Sequence, residues 1–300
     1  MNPRHGPDPR GVRGRLITGI GRLLSSAPVG WLPRLGCLGA ALLAPLLRRR
    51  WHITRRNISI CFPELDSRAQ RRLVRASMAS AMTAIFENAL AWYGTPTRIG
   101  PIAEVHGLDQ LRKALSDGRG ALLLATHQLP MELGARILSE RLGMGLDTLA
   151  RRHGSPWLEA TVSQGRSRFI DRLLDKKDLR GVVRALRDNR VVVLIGDQDF
   201  NVHHVFAPFF GVPAATLAIT PRLARLSAAP VLPVWAWRQA PGRYVVEIEA
   251  PLAAVADASP EAEARRYMAA LEERVRARPE QYLWQHRRFK TRPPGEPDFY

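Results

Sequence analysis

Short, near-continuous apolar runs constrain the fold of this chain more than any other feature. They are ALLLAT (121–126), VVVLIG (191–196), VLPVWAW (231–237) and YVVEIEA (244–250). A strand with one wet face alternates apolar with polar residues, whereas a strand covered on both faces reads as an almost unbroken apolar run. Helical spacing marks segments around 130–143, 156–168, 178–188, 214–228 and 259–278. A longer helix, 67–94, ends at Gly94 with Pro96 beyond it. This alternation predicts an α/β fold: a single domain with a central, mostly parallel or mixed β-sheet covered by helices. The chain has 300 residues, 46% of them hydrophobic, and shows no internal repeat or low-complexity linker. One catalytic-size domain over residues 51–300 follows.

Residues 1–50 read differently. Positions 1–75 hold fifteen arginines and no lysine against Asp8, Glu64 and Asp66, so most of the +18 formal charge sits there. Such an excess suits an anionic partner, nucleic acid or a membrane leaflet. The apolar content favours the membrane: LLSSAPVGWLP (23–33) and LGCLGAALLAPLL (35–47) are uncharged and interrupted by Arg34 alone. Three prolines and Arg34 argue against a clean spanning helix, and there is no compact apolar region ahead of a small-residue cleavage site. The expectation is an N-terminal helical segment, 1–50, that lies in or dips into the membrane interface with arginines at the headgroups. Cys37 and Cys61 form no CxxC pair, which points to a reducing compartment without a structural disulfide or zinc cluster.

In open α/β sheets, ligands sit beyond the carboxyl ends of strands. His127 falls there, at the end of the first run, in THQLPMELGAR (126–136). With Pro130 at the first helical position, Glu132 becomes the third, and its carboxylate can reach back over the first turn. A carboxylate bonded to one ring nitrogen leaves the other able to accept a proton. His127 and Glu132 therefore make a candidate general base and orienter. GxSxG is missing, so no serine nucleophile is advertised, and the proton would come from a substrate hydroxyl.

H-x4-E alone is weak, but it lies among RRNISICFPEL (55–65), DKKDLRG (175–181), GDQDF (196–200), VFAPFFGVPAAT (205–216) and PEQYLWQHRRFKTRP (279–293). In this order the stretches resemble the lauroyl/myristoyl acyltransferases of lipid A biosynthesis, within the lysophospholipid acyltransferase-like enzymes, over roughly residues 12–300. The resemblance implies transfer of a fatty acyl chain from acyl carrier protein to a hydroxyl of a Kdo-bearing lipid A precursor. It places the enzyme at the cytoplasmic face of the bacterial inner membrane and implies no cofactor. It carries the base and its acidic partner onto His127 and Glu132. An arginine of the family's Tyr-Arg-Pro context falls on Arg151 in LARRHGSP, without the tyrosine and proline, and Arg152 is a rival. The family's PDQD box reads GDQD here, keeping Asp197 and Asp199, and Gly211 lies in the PFFG turn of a substrate-side motif.

Rival chemistries are weaker. Asp197, Asp199, His203 and His204 could be read as metal ligands, but adjacent histidines rarely hold one ion and no further cluster closes a shell. WQHRRFKTRP (284–293) interleaves aromatics with basic residues, yet it is a short terminal patch, so nucleic acid is not expected. The patch reads equally as a seat for lipid phosphates or acidic carrier protein, or as a solvated tail. A glycerolipid acceptor, or water, would need the same base.

Overall fold

A computed structural model describes residues 12–150, 155–175, 178–198, 204–253 and 255–300. The N-terminal third is helical: α1 (Val12–Ser26), α2 (Leu32–Leu42), α3 (Arg48–Cys61), α4 (Ser67–Tyr93) and the short α5 (Pro96–Ile99). Strands and helices then alternate: β1 (Ala103–His106), α6 (Leu108–Ser116), β2 (Ala121–Ala125), α7 (Met131–Leu142), β3 (Leu146–Ala150), α8 (Pro156–Arg166), β4 (Ile170–Asp175), α9 (Leu179–Arg187) and β5 (Val191–Ile195). After them come the hairpin β6 (His204–Phe209) and β7 (Val212–Leu217), then α10 (Thr220–Ser227), β8 (Val231–Ala240), β9 (Arg243–Ile248) and α11 (Pro260–Ala277).

Seven strands form one sheet in the order β1-β9-β8-β2-β5-β3-β4, with every pair parallel except β8–β9. The apolar runs at its centre are explained by burial on both faces. In β2, Leu122 and Leu124 enter one core while Ala121 and Leu123 enter the other. In β5, Val192 and Leu194 divide from Val191 and Val193 in the same way. Period-two alternation therefore sorts two apolar sets rather than apolar from polar. The helix expected over 214–228 begins only at Thr220. Val212–Leu217 instead pairs with β6, and the turn at Phe210 and Gly211 has φ of +51° and +74°. Two consecutive positive φ values close a tight hairpin and favour glycine at the second position.

α4 is the spine of the helical layer. Asp66 caps it by accepting from the Ala69 nitrogen at 2.6 Å. α2 crosses α4 at Gly36, where a Cβ would lie 2.0 Å from Thr83 Oγ1 and 2.7 Å from the Ala79 carbonyl oxygen. Only a glycine lets the two helices approach so closely. Among the described residues no helix is long and apolar enough to cross a membrane. The apolar N-terminal segment is broken into short helices, as its prolines suggest.

A buried ion pair ties α4 to the sheet. Arg238 on β8 donates to both oxygens of Glu87, at 2.5 and 2.8 Å, and to Ser80 Oγ at 2.6 Å. The Tyr244 hydroxyl also donates to Glu87, at 2.9 Å. Glu87 is wholly buried, so removing it strands a guanidinium in the interior. Glu87→Ala should cost about 3–5 kcal/mol, read as a lower midpoint in denaturant unfolding.

Candidate active site

The site is assembled by strand register. Ala125, the last residue of β2, pairs with Ile195, the last residue of β5. Two residues beyond these paired ends stand His127 and Asp197. The His127 Nδ1 and an Asp197 carboxylate oxygen are 2.7 Å apart, and the His127 backbone N–H donates to both carboxylate oxygens, at 3.2 and 3.0 Å. Asp197 is fully buried and the His127 side chain is 14% exposed. Burial pushes the Asp197 carboxyl up, but the His127 charge, the bonds from its ring and backbone, and the Arg288 guanidinium outweigh it. Together they hold the carboxyl below the usual carboxylate range. With Nδ1 engaged by a carboxylate, Nε2 is the nitrogen left to take a proton, and it makes no hydrogen bond among the described residues.

The loop that carries His127 is held from three sides. Tyr267 on α11 donates its hydroxyl to the Ala125 carbonyl at 2.7 Å and accepts from the Gly196 nitrogen at 3.4 Å, so one phenol spans both strand ends. The segment after α11 then lies along the loop. Leu129 N–H donates to the Gln281 carbonyl at 2.6 Å, Leu283 N–H donates to the His127 carbonyl at 3.1 Å, and Gln128 pairs with Tyr282. Gln281 in turn accepts from the Arg238 nitrogen through its side chain, at 2.8 Å.

Glu132 has other partners than those expected. α7 begins at Met131 with Pro130 at the N-cap, so Glu132 is the second helical residue rather than the third. From there its carboxylate meets Arg166 of α8 as a bidentate pair, Nε at 2.9 Å, and accepts from the Trp92 indole at 3.1 Å. The expected bond from Glu132 to the imidazole is not formed, and Asp197 takes that place. Arg166, Trp92, Tyr267 and Gln281 were not singled out by sequence. Arg166 is one arginine among many, Trp92 and Tyr267 carry no motif of their own, and Gln281 lies in a quoted motif that gave it no role of its own.

Arg151, Arg152, Asp199 and His203 lie outside the described residues. Gly211 sits at the tip of the β6–β7 hairpin, where turn geometry accounts for a glycine. The terminal basic stretch is not a free patch. Trp284 and Phe289 are wholly buried, Arg288 donates to the Ala215 carbonyl at 2.6 Å and Thr216 Oγ1 at 2.9 Å, and Arg292 donates to the Pro213 carbonyl at 2.8 Å. Its guanidinium groups secure the hairpin. The described residues hold no group of three metal-binding side chains.

A histidine held through Nδ1 by a buried carboxylate, in a sequence without a GxSxG turn, fits a class of enzymes that activate a substrate hydroxyl. Comparison with known proteins identifies the class as acyltransferases. The family model for bacterial lipid A biosynthesis acyltransferase matches residues 11–291. The lipid A biosynthesis lauroyltransferase of Escherichia coli (strain K12) is 34% identical over 290 residues, 94% of this chain and 92% of that protein. The palmitoleoyltransferase of the same organism is 34% identical over 270 residues, 89% of this chain and 87% of that protein. Its myristoyltransferase is 28% identical over 268 residues, 88% and 81% respectively. The chain belongs to the bacterial lipid A biosynthesis acyltransferase family.

The lowered pKa of Asp197 has a direct test. The native state prefers the ionised carboxylate, so this group stabilises the fold above the unfolded value near 3.9 and loses that effect as pH falls through its folded value. The melting-temperature advantage of the wild type over Asp197→Asn should therefore be largest near neutral pH and shrink below about pH 3.9. Thermal unfolding of both proteins across that range measures it.

Proposed function

We propose that this protein transfers a fatty acyl chain from acyl carrier protein to a hydroxyl of a Kdo-bearing lipid A precursor, at the cytoplasmic face of the bacterial inner membrane. The observation that carries the reading is the His127–Asp197 pair at the carboxyl edge of the sheet, in a chain of this family. His127 Nε2 takes the proton of the acceptor hydroxyl as its oxygen attacks the thioester carbonyl carbon. The carbonyl becomes an oxyanion, the C–S bond then breaks, and the departing thiolate receives the proton from the imidazolium. Asp197 fixes the tautomer of His127 and stabilises its charged form.

The oxyanion needs fixed positive groups. The first backbone N–H groups of α7 have no helical partner, and no side chain caps them. Arg166, held by Glu132 against that same turn, adds a charge. Glu132 thus acts on the site through Arg166 and Trp92. Arg151, Arg152 and Asp199 remain proposed contacts to the acceptor, and Gly211 a residue of the substrate-side turn.

Membrane association belongs to residues 1–50. Leu16, Ile20 and Leu23 on α1 and Leu38 and Leu42 on α2 are exposed, and Leu46 is 81% exposed. Arg15, Arg22 and Arg34 lie among them. An apolar face bordered by arginine suits the interface of an anionic leaflet.

Two experiments test the chemistry and its setting. His127→Ala should lose transfer by roughly 10²–10⁴-fold or more, and Asp197→Asn by up to about 10⁴-fold, each with a retained cooperative unfolding transition. Glu132→Gln should lose less than Asp197→Asn, because it loosens Arg166 while leaving the imidazole oriented. The reading fails if folded His127→Ala turns over at the wild-type rate. In the second experiment, Leu23→Asn, Leu42→Asn and Leu46→Asn together should cut sedimentation with phosphatidylglycerol vesicles at least several-fold, without lowering the melting temperature.

A further inference from the structure

α3 and α4 form an antiparallel hairpin: Thr54 contacts Met78, and Gln70 reaches the Phe62 carbonyl at 3.0 Å. α3 turns Ile53, Thr54, Asn57, Ile58 and Cys61 inward. Arg48, Arg49 and Arg55 are exposed on its other side. The N-terminal half of α4 exposes Arg68, Arg71, Arg72 and Arg75. None of these guanidinium groups forms an ion pair or a side-chain hydrogen bond among the described residues. Apart from the buried Glu87, which Arg238 neutralises, acid on the hairpin is confined to Glu64, 3.9 Å from Arg276, and the capping Asp66. Elsewhere in the molecule Arg190, Arg238, Arg266 and Arg274 each hold a carboxylate. The hairpin keeps its positive charge uncompensated, which favours an anionic partner.

A bilayer and an acidic protein compete for that description, and the apolar residues separate them. A helix on a bilayer buries apolar side chains beside its basic ones. Eight large exposed apolar residues fall from Leu16 to Leu46, and none lies between positions 47 and 84. The arginine face therefore suits a water-soluble acidic partner. Its position suits the acyl donor. Asn57 of α3 donates to the carbonyls of Trp284 and His286, at 2.8 and 2.7 Å, and the adjoining Leu283 holds the His127 carbonyl. One segment of chain separates the basic helix from the base.

We infer that the arginine face of the α3–α4 hairpin docks the acidic acyl carrier protein, while the apolar face of α1 and α2 meets the membrane. The inference rests on the donor proposed above. Exposed charges of this kind act on encounter rate and salt dependence more than on chemistry.

The test is Arg55→Glu, Arg72→Glu and Arg75→Glu in one full-length protein, with Arg180→Glu and Arg222→Glu, exposed on α9 and α10, as the control pair. Dodecanoyl-acyl carrier protein and dodecanoyl-coenzyme A serve as donors, and a Kdo-bearing lipid A precursor in detergent as acceptor. The triple variant should raise KM for the carrier-bound donor at least roughly tenfold and flatten its salt dependence. Its kcat, acceptor KM and melting temperature should stay unchanged. The control pair should match wild type, and the three lysine substitutions should retain most of the affinity. A wild-type preference for the carrier that survives charge reversal overturns the surface alone. The same holds if reversal spares the carrier KM but releases the protein from phosphatidylglycerol vesicles, which would assign the face to the bilayer. A wild type indifferent to carrier or coenzyme A overturns the donor reading and this surface with it.

Discussion

Parallel strands paired in register end at one level, and the residues that follow them are brought face to face. β2 and β5 pair from Ala121–Val191 to Ala125–Ile195, so the second residue past each end is also matched. One of these is His127 and the other Asp197. The 2.7 Å contact between them is a consequence of sheet register, and a one-residue slip of either strand would turn that strand's side chains to the opposite face. The central pair resists such a slip because both faces are filled. Leu122, Leu124, Val192 and Leu194 serve one core, and Ala121, Leu123, Val191 and Val193 the other.

The surrounding elements stabilise that level. Tyr267 joins the two strand ends, and Gln281, Tyr282 and Leu283 run beside the His127 loop. Arg238 connects this arrangement to the helical layer, since its backbone N–H donates to the Gln281 side chain and its guanidinium donates to Glu87. On the far side of the loop, Glu132 gathers Arg166 and Trp92 and so fixes α7 against α8 and α4. His127 is thus supported by a fully buried carboxylate, and the helix beside it by a separate and partly buried ion pair.

Much of this was legible in the residues. The apolar runs at 121–126 and 191–196 located β2 and β5 to within a residue, and the helical spacing of 67–94 and 259–278 located α4 and α11. His127 was legible because a polar residue ends a fully apolar run. Its carboxylate partner was not, because Glu132 is five residues away in sequence while Asp197 is seventy. Local spacing favours the near candidate, and only the strand pairing reveals the distant one. Residues 214–217 suit the start of a helix as well as a strand because their small and β-branched residues fit either period; the hairpin partner that decides the matter precedes them in the chain. The terminal WQHRRFKTRP looked like a charged surface, yet burial of Trp284, Arg288 and Phe289 makes it part of the interior. Charge in a sequence does not say whether a guanidinium meets water or a backbone carbonyl.

The threading of residues 281–283 beside the His127 loop has a consequence for the order of events in the cell. Both strands that lead into His127 and Asp197 emerge from the ribosome long before that segment does. Until it arrives, the Leu129 N–H and the His127 carbonyl lack the partners they have in the finished structure. Tyr267, which joins the two strand ends, also comes late in synthesis. The apolar helices α1 and α2, by contrast, come first. Synthesis therefore completes these N-terminal helices while the His127 loop is still unsecured, and the loop gains its last hydrogen bonds only once the C-terminal segment has emerged.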